Sequence, residues 1–201
     1  MNLQQQSPQW FAARESRLTA SDFGSAAGVK GAYKTRKKLW ELKTGRDWVE
    51  KNDFMQYGLD TEPIARATFE VITGDIVRDS DLVIHPDFDF LACSPDGLIG
   101  SGSVLEIKCP TRAVHSSISE QFLGQIFGQL ACTGRETALF FSYHPRGQRL
   151  WQVKWSEEYW NWLFPLLEDF WNHVIEDECP QRRKRESFTG ELEISELPIM
   201  R

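Results

Sequence analysis

Residues 94–110, SPDGLIGSGSVLEIKCP, decide the fold. Pro95-Asp96-Gly97 reads as a turn, and Val104 to Pro110 reads as a short apolar strand. Side chains alternate along a strand, so Glu106 and Lys108 share one face while Leu105, Ile107 and Cys109 share the other. The second face is apolar and belongs in a core. The first sets a carboxylate beside an ammonium. A hairpin joining Asp96 to Val104 brings Asp96 next to Glu106. Two carboxylates and a lysine on neighbouring strands offer oxygen ligands to a hard cation, and Mg²⁺ suits such a donor set. Carboxylates held together repel one another unless a cation neutralises them. A divalent ion there can lower the pKa of a water, and two ions can clamp the attacking and leaving oxygens of a phosphoryl group.

Upstream of this stretch the chain reads as helices. Ser7-Pro8 is a helix start, with serine as N-cap and proline at the first helical position. Trp10, Phe11 and Arg14 follow on that helix. A second helix is expected from Thr19 to about Gly28, and a third leads from the basic run at residues 30–38 to Gly45. Residues 53–74 read as a long helix, with Phe54, Met55, Leu59, Ile64, Ala65, Phe69 and Ile72 apolar and Pro63 expected to kink or interrupt its first half. Residues 75–155 turn to strand character, broken by a helix over 116–133. A hairpin then turns at Pro145-Arg146-Gly147, and an aromatic helix runs over about 157–178. This order predicts an α/β class fold, an α+β arrangement in which a mixed sheet is flanked by helices. One domain is expected over residues 1–180: a basic helical part at 1–46, a core at 53–155 and the aromatic helix at 156–180. Residues 181–201 read as a solvated tail, with Arg182 to Arg185 a DNA or subunit contact as the sharper alternative.

Composition narrows the classes. The 201 residues carry 23 Lys and Arg against 29 Asp and Glu, a net charge of −6, which argues against binding nucleic acid by overall basicity. The distribution says more than the total. Residues 1–46 hold nine basic and three acidic side chains, whereas residues 47–106 hold three basic and thirteen acidic. No stretch approaches eighteen consecutive apolar residues, so no transmembrane helix is expected, and MNLQQQSPQW has no secretory pattern. Cys93, Cys109, Cys132 and Cys179 lie far apart and are expected to be free, buried thiols. No histidine pair has the spacing of a zinc hydrolase. The apolar residues of the aromatic helix cover more than one face, which points to burial in a core or an interface.

Asp96, nine intervening residues and then Glu106-x-Lys108 on an apolar strand resembles the PD-(D/E)xK nuclease signature. Further motifs stand in order along the chain. They are Trp10, Arg14 and Thr19-Ala20-Ser21-Asp22; Met55, Gly58, Glu62 and Ala65; Ser94-Pro95-Asp96-Gly97; Leu105 to Pro110; Gln125, Gln129 and Thr133; and Ser142-Tyr143-His144-Pro145-Arg146. Together they are similar to the phage lambda exonuclease, or YqaJ-type viral recombinase, family, whose core is restriction-endonuclease-like. The resemblance implies a Mg²⁺-dependent enzyme that degrades one strand of linear duplex DNA from a phosphorylated 5′ end. It would release mononucleotides and leave a 3′ overhang for a single-strand annealing protein. Asp96, Glu106 and the Ile107 carbonyl would hold metal and Glu62 would complete a second site, for two Mg²⁺ in all, with Mn²⁺ as a substitute. Lys108 would act on the attacking water and scissile phosphate, and Gln125 would help to orient that water or Lys108. Arg14, Ser21 and Ser94 would bind the 5′-phosphate. Trp10, Lys30, Lys34, Arg36, Lys37 and Lys38 are candidate DNA contacts. The resemblance further implies a ring-shaped homotrimer in the cytoplasm of a bacterial host, of phage or prophage origin. Another nuclease of the same fold, or an inactive DNA-end binder, stands as the alternative.

Overall fold

A computed structural model of the chain describes Gln5 and residues 7–50, 52–182, 184 and 187–199. At its centre lies a six-stranded sheet. In spatial order its strands are β2 (Val77–Arg78), β5 (Gly97–Ile99), β6 (Ser103–Lys108), β7 (Thr137–His144), β8 (Gly147–Lys154) and β9 (Ile194–Leu197). Only β6 and β7 run parallel, and every other pairing in the sheet is antiparallel. A three-stranded sheet of β1 (Leu18–Thr19), β4 (Leu91–Cys93) and β3 (Val83–Ile84) stands apart from it.

The parallel step requires a crossover, and α5 (Glu120–Thr133) supplies it. That helix covers the face of the sheet carrying Val104, Ala138, Phe140, Trp151 and Val153. There it joins α2 (Phe23–Ala27) and α6 (Glu157–Ile175) in the larger core. The opposite face carries Leu105, Ile107, Leu139, Phe141 and Leu150 and packs under Ala65 and Phe69 of α4 (Asp53–Thr73). Phe69, Phe140 and Phe141 are fully buried, each contributing about 1.5–3 kcal/mol of apolar transfer. The mixed sheet flanked by helices is the expected class.

Local chemistry sets the element ends. Ser7 caps α1 (Pro8–Glu15) by accepting the Trp10 N–H, and Pro8 takes the first helical turn. Residues 20–22 form a 3-10 turn leading into α2, which ends at Gly28 with φ at 74°. The third helix, α3, spans Arg36–Lys43.

Several expectations need correction. The helix α4 runs through Pro63 without a break. Pro63 is exposed, so the carbonyl left without a helical donor is open to water. Phe54, Met55, Leu59 and Ile64 of that helix are exposed, and its buried apolar stripe is Ala65 and Phe69. The crossover helix begins at Glu120 rather than Ser116, because residues 111–119 form a separate loop. The aromatic helix α6 is buried as expected, in the chain's own core, where His85, Phe88, Phe90 and Phe188 pack on its rings. Cys93 and Cys132 are buried free thiols, but Cys109 is half-buried and Cys179 exposed. Beyond Pro180 the chain returns to the sheet as β9, a paired edge strand rather than a solvated tail throughout. Of the basic run at 182–185, Arg183 and Arg185 lie outside the described residues.

Candidate active site

The β5–β6 hairpin sets Gly97 opposite Leu105, which carries Asp96 to the end of β6. There Asp96 Oδ2 accepts the Ile107 N–H at 2.6 Å. The N–H and C=O of one strand residue leave by the same edge, so the Ile107 carbonyl faces the Asp96 side as well. Glu106 points from β6 to the α5 side of the sheet and is 1% exposed. The expected alternation of faces holds, but the polar face is roofed: a central strand with helices on both sides has no open face.

Burial of Glu106 is compensated by three donors. Its Oε1 accepts from Lys108 Nζ, and from Gln125 Nε2 at 2.7 Å. Its Oε2 accepts from Gln129 Nε2, one helical turn further along α5. Phe122, on the first turn of the same helix, stands 5.4 Å from Lys108 Nζ. Burial pushes the pKa of the Lys108 ammonium down, yet Glu106 and Asp96 outweigh it and raise the group above its ordinary range. Asp96 shifts the other way. Desolvation first, then Glu106 and Glu62, push its carboxyl well above the usual range. Desolvation and Glu106 likewise raise Glu62, a half-buried residue of α4.

Glu106 and Glu62 thus both disfavour the charge on Asp96, and all three carboxyls carry oxygen ligands, which fits a hard cation. Among the described residues, no three His, Cys, Asp or Glu side chains form a ready-made metal cage. Both Glu106 oxygens are engaged, by Lys108 and by the two glutamines.

A second polar cluster lies two residues upstream. Arg14 lies over the Trp10 ring at 4.3 Å and donates to Ser94 Oγ at 3.3 Å and Thr19 Oγ1 at 3.4 Å. Trp10 Nε1 donates to the same Ser94 Oγ at 2.9 Å, and Ser21 Oγ lies 3.4 Å from Thr19 Oγ1. Desolvation lowers the pKa of the Arg14 guanidinium, partly offset by Asp22. No carboxylate lies within ion-pair distance of Arg14 among the described residues. A half-buried cation surrounded by hydroxyls is a fitting receptor for an anion.

Family membership follows from the order of these motifs. Residues 9–136, from the Trp10 helix through the crossover helix, match the model of the YqaJ-like viral recombinase domain. The chain belongs to the YqaJ-like viral recombinase family. An alkaline exonuclease (LHK-Exo) from Laribacter hongkongensis aligns at 28% identity with a TM-score of 0.75, covering 85% of this chain and 94% of that one. Its complex with dAMP aligns with a TM-score of 0.74 at the same identity and coverage. A phage-related exonuclease from Haemophilus somnus 129PT shares the fold, with a TM-score of 0.64 at 12% identity over 80% of this chain and 96% of that one. No curated protein matches the chain.

Within this YqaJ-like domain the basic run at residues 30–38 is not one surface. Arg36 is buried, donating to the Ala26 carbonyl at 2.8 Å and pairing with Asp169 at 2.6 Å, so it ties α2 to α6 and does not face solvent. That corrects its expected place among the DNA contacts. Lys34 pairs with Asp22, Lys38 with Asp47 and Lys37 with Glu41, while Lys30 is exposed. Two further residues border the site. Tyr33 is exposed, packs edge-on against Phe122 and has its hydroxyl pKa raised, by desolvation foremost, with Lys108 and Glu106 both acting on it. Gln129, which the sequence marks only by its spacing of four from Gln125, engages Glu106 equally directly.

Proposed function

We propose that this protein is a Mg²⁺-dependent 5′→3′ exonuclease of linear double-stranded DNA that leaves a 3′ overhang. The observation that carries this reading is the placement of the Arg14 cluster beside the carboxylate cluster. Ser94 and Asp96 are two residues apart, a span of at most about 7 Å. A terminal 5′-phosphate held by Arg14, Ser94 and Ser21 then lies next to the position where a following phosphodiester meets Asp96. Such an enzyme counts one nucleotide from the end at each cleavage, which suits release of mononucleotides. The similarity to an alkaline exonuclease that was solved with dAMP supports it.

Asp96, Glu106 and the Ile107 carbonyl would hold one Mg²⁺ and Glu62 would help to hold a second, with Mn²⁺ a chemically acceptable substitute. When bound, the ions would supply a water of lowered pKa and offset charge on the phosphate. Lys108, kept protonated by Glu106 and Asp96, supplies positive charge to the phosphate oxygens rather than serving as a base. Gln125 and Gln129 fix the Glu106 carboxylate in one orientation. Trp10, Lys30, Lys34, Lys37 and Lys38 are proposed to contact DNA, which positions a duplex without reading its sequence. The overhang would pass to a single-strand annealing protein, and a homotrimeric ring acting in the bacterial cytoplasm would keep the enzyme on its substrate.

Asp96→Ala and Lys108→Ala test the assignment. Each is expected to abolish nucleotide release in Mg²⁺ while leaving binding to duplex ends in Ca²⁺ intact. Digestion by either variant at the wild-type rate would show that the site lies elsewhere.

A further inference from the structure

The C-terminal strand β9 lies outside the family-matched residues 9–136, yet one of its side chains is connected to the candidate site through a single arginine. Lys108 of β6 pairs in register with Ser142 of β7, and Ser142 pairs with Arg149 of β8. These three residues therefore form one row on one face of the sheet. His115, in the loop over residues 111–119, sits on that row. Its N–H donates to Ser142 Oγ at 3.0 Å, and its Nδ1 lies 2.8 Å from the same oxygen. Arg149 fastens the loop from the other side, donating from Nη1 to the Ser116 carbonyl at 3.0 Å and to the His115 carbonyl at 3.4 Å. The remaining donors of Arg149 reach Glu196 of β9 as a fork, Nε to Oε1 at 2.7 Å and Nη2 to Oε2 at 2.6 Å. The His115 ring meets Phe122 edge-on at 5.1 Å, and Phe122 stands over Lys108. The loop runs directly into α5, which carries Phe122, Gln125 and Gln129.

We propose that Arg149 is a positioning residue for the reaction, latching the 111–119 loop to the sheet so that Lys108 and Glu106 are held in place by α5. The role of Glu196, and through it of β9, is to orient the Arg149 fork. A planar guanidinium suits this task, because it can serve a carboxylate and two carbonyls at once. Lysine in its place could reach only part of that set. The effect of Arg149 on the reaction runs through the loop. This inference rests on the exonuclease reading for its kinetic consequence, but the latch itself can be observed without turnover.

The test compares Arg149→Met, Arg149→Lys and Glu196→Gln in the full chain. Methionine keeps an alkyl stem over the Trp151 ring, which Arg149 overlies at 5.0 Å, and removes every donor. Arg149→Met is expected to lower kcat on 5′-phosphorylated duplex about ten- to a hundred-fold, the scale of a displaced catalytic geometry. The KM for duplex ends should stay near wild type, and amide hydrogen exchange should speed up within residues 113–120. Arg149→Lys should recover part of kcat, and Glu196→Gln should fall between it and wild type. Unchanged kcat, or a higher KM with kcat preserved, overturns the positioning role. Unchanged exchange in residues 113–120 overturns the latch. Absence of nuclease activity in the wild-type protein would instead overturn the exonuclease reading, with the exchange result still deciding the latch.

Discussion

At the scale of single residues, the site separates two kinds of positive charge. Lys108 is locked to a buried carboxylate, whereas Arg14 has only hydroxyls and an indole within bonding distance among the described residues. An arginine held this way lacks a direct counter-ion, and a terminal phosphate dianion would supply one. Arg14→Ala is therefore expected to slow digestion of 5′-phosphorylated duplex by at least about ten-fold, the equivalent of one charge-assisted hydrogen bond. Digestion of 5′-hydroxyl ends should change little, as measured by nucleotide release from the two substrates side by side. Equal losses on both would remove Arg14 from the phosphate pocket. The pairing of Asp96 with the Glu106 strand was readable from sequence, because a turn and a period-two strand leave few ways to place them. The inward turn of Arg36 was not. A basic run looks alike whether its members face water or a buried carbonyl, and the partners of Arg36 lie 10 and 133 residues away.

Among the elements, α5 does the most to shape the site, and its glycines explain how it comes so close to α2. A Cβ at Gly128 would stand 2.5 Å from the Phe23 ring and 3.0 Å from Ala20 Cβ. At Gly124 it would stand 3.0 Å from the Gly24 backbone nitrogen. Replacing a helical glycine by alanine ordinarily gains about 1 kcal/mol, but overpacking a full core costs about 1–3 kcal/mol. Gly128→Ala should therefore destabilise the protein in denaturant melts. Gly58→Ala on α4, where no atom lies within 4 Å of the new methyl, should leave it as stable or stabilise it. The reverse order would mean that α5 and α2 can separate without cost. Helices α1 and α4 and the β7–β8 hairpin were legible from caps, periodicity and the Pro-Arg-Gly turn. The roof over Glu106 was not, because strand alternation says which residues share a face but not whether a helix will cover it. The strand β9 escaped for a related reason. Ile194-Ser-Glu-Leu197 is too short and polar to signal pairing, and what fixes it is the partner strand β8 and the Arg149–Glu196 fork.

At the scale of the whole molecule, the charge total of −6 conceals how the charges are used. Part of the acidic excess over residues 47–106 lies at Glu62, Asp96 and Glu106, whose oxygens suit a hard cation. Part of the basic excess over residues 1–46 is spent on internal pairs such as Arg36–Asp169 and Lys34–Asp22. Among the described residues of that segment Arg14, Arg17 and Lys30 form no ion pair, and Arg14 sits in the hydroxyl cluster at the site, which favours an enzyme that recognises an end over one that holds duplex tightly anywhere. End recognition and strand polarity thus define the proposed activity. The most direct measurement incubates the protein with Mg²⁺ and two substrates, linear duplex labelled at its 5′-phosphorylated ends and covalently closed circular duplex. A 5′→3′ exonuclease releases labelled mononucleotides from the linear DNA from the first turnover and leaves the circle intact. Cleavage of the closed circle, or release of label only after the opposite strand end has been consumed, would contradict that activity.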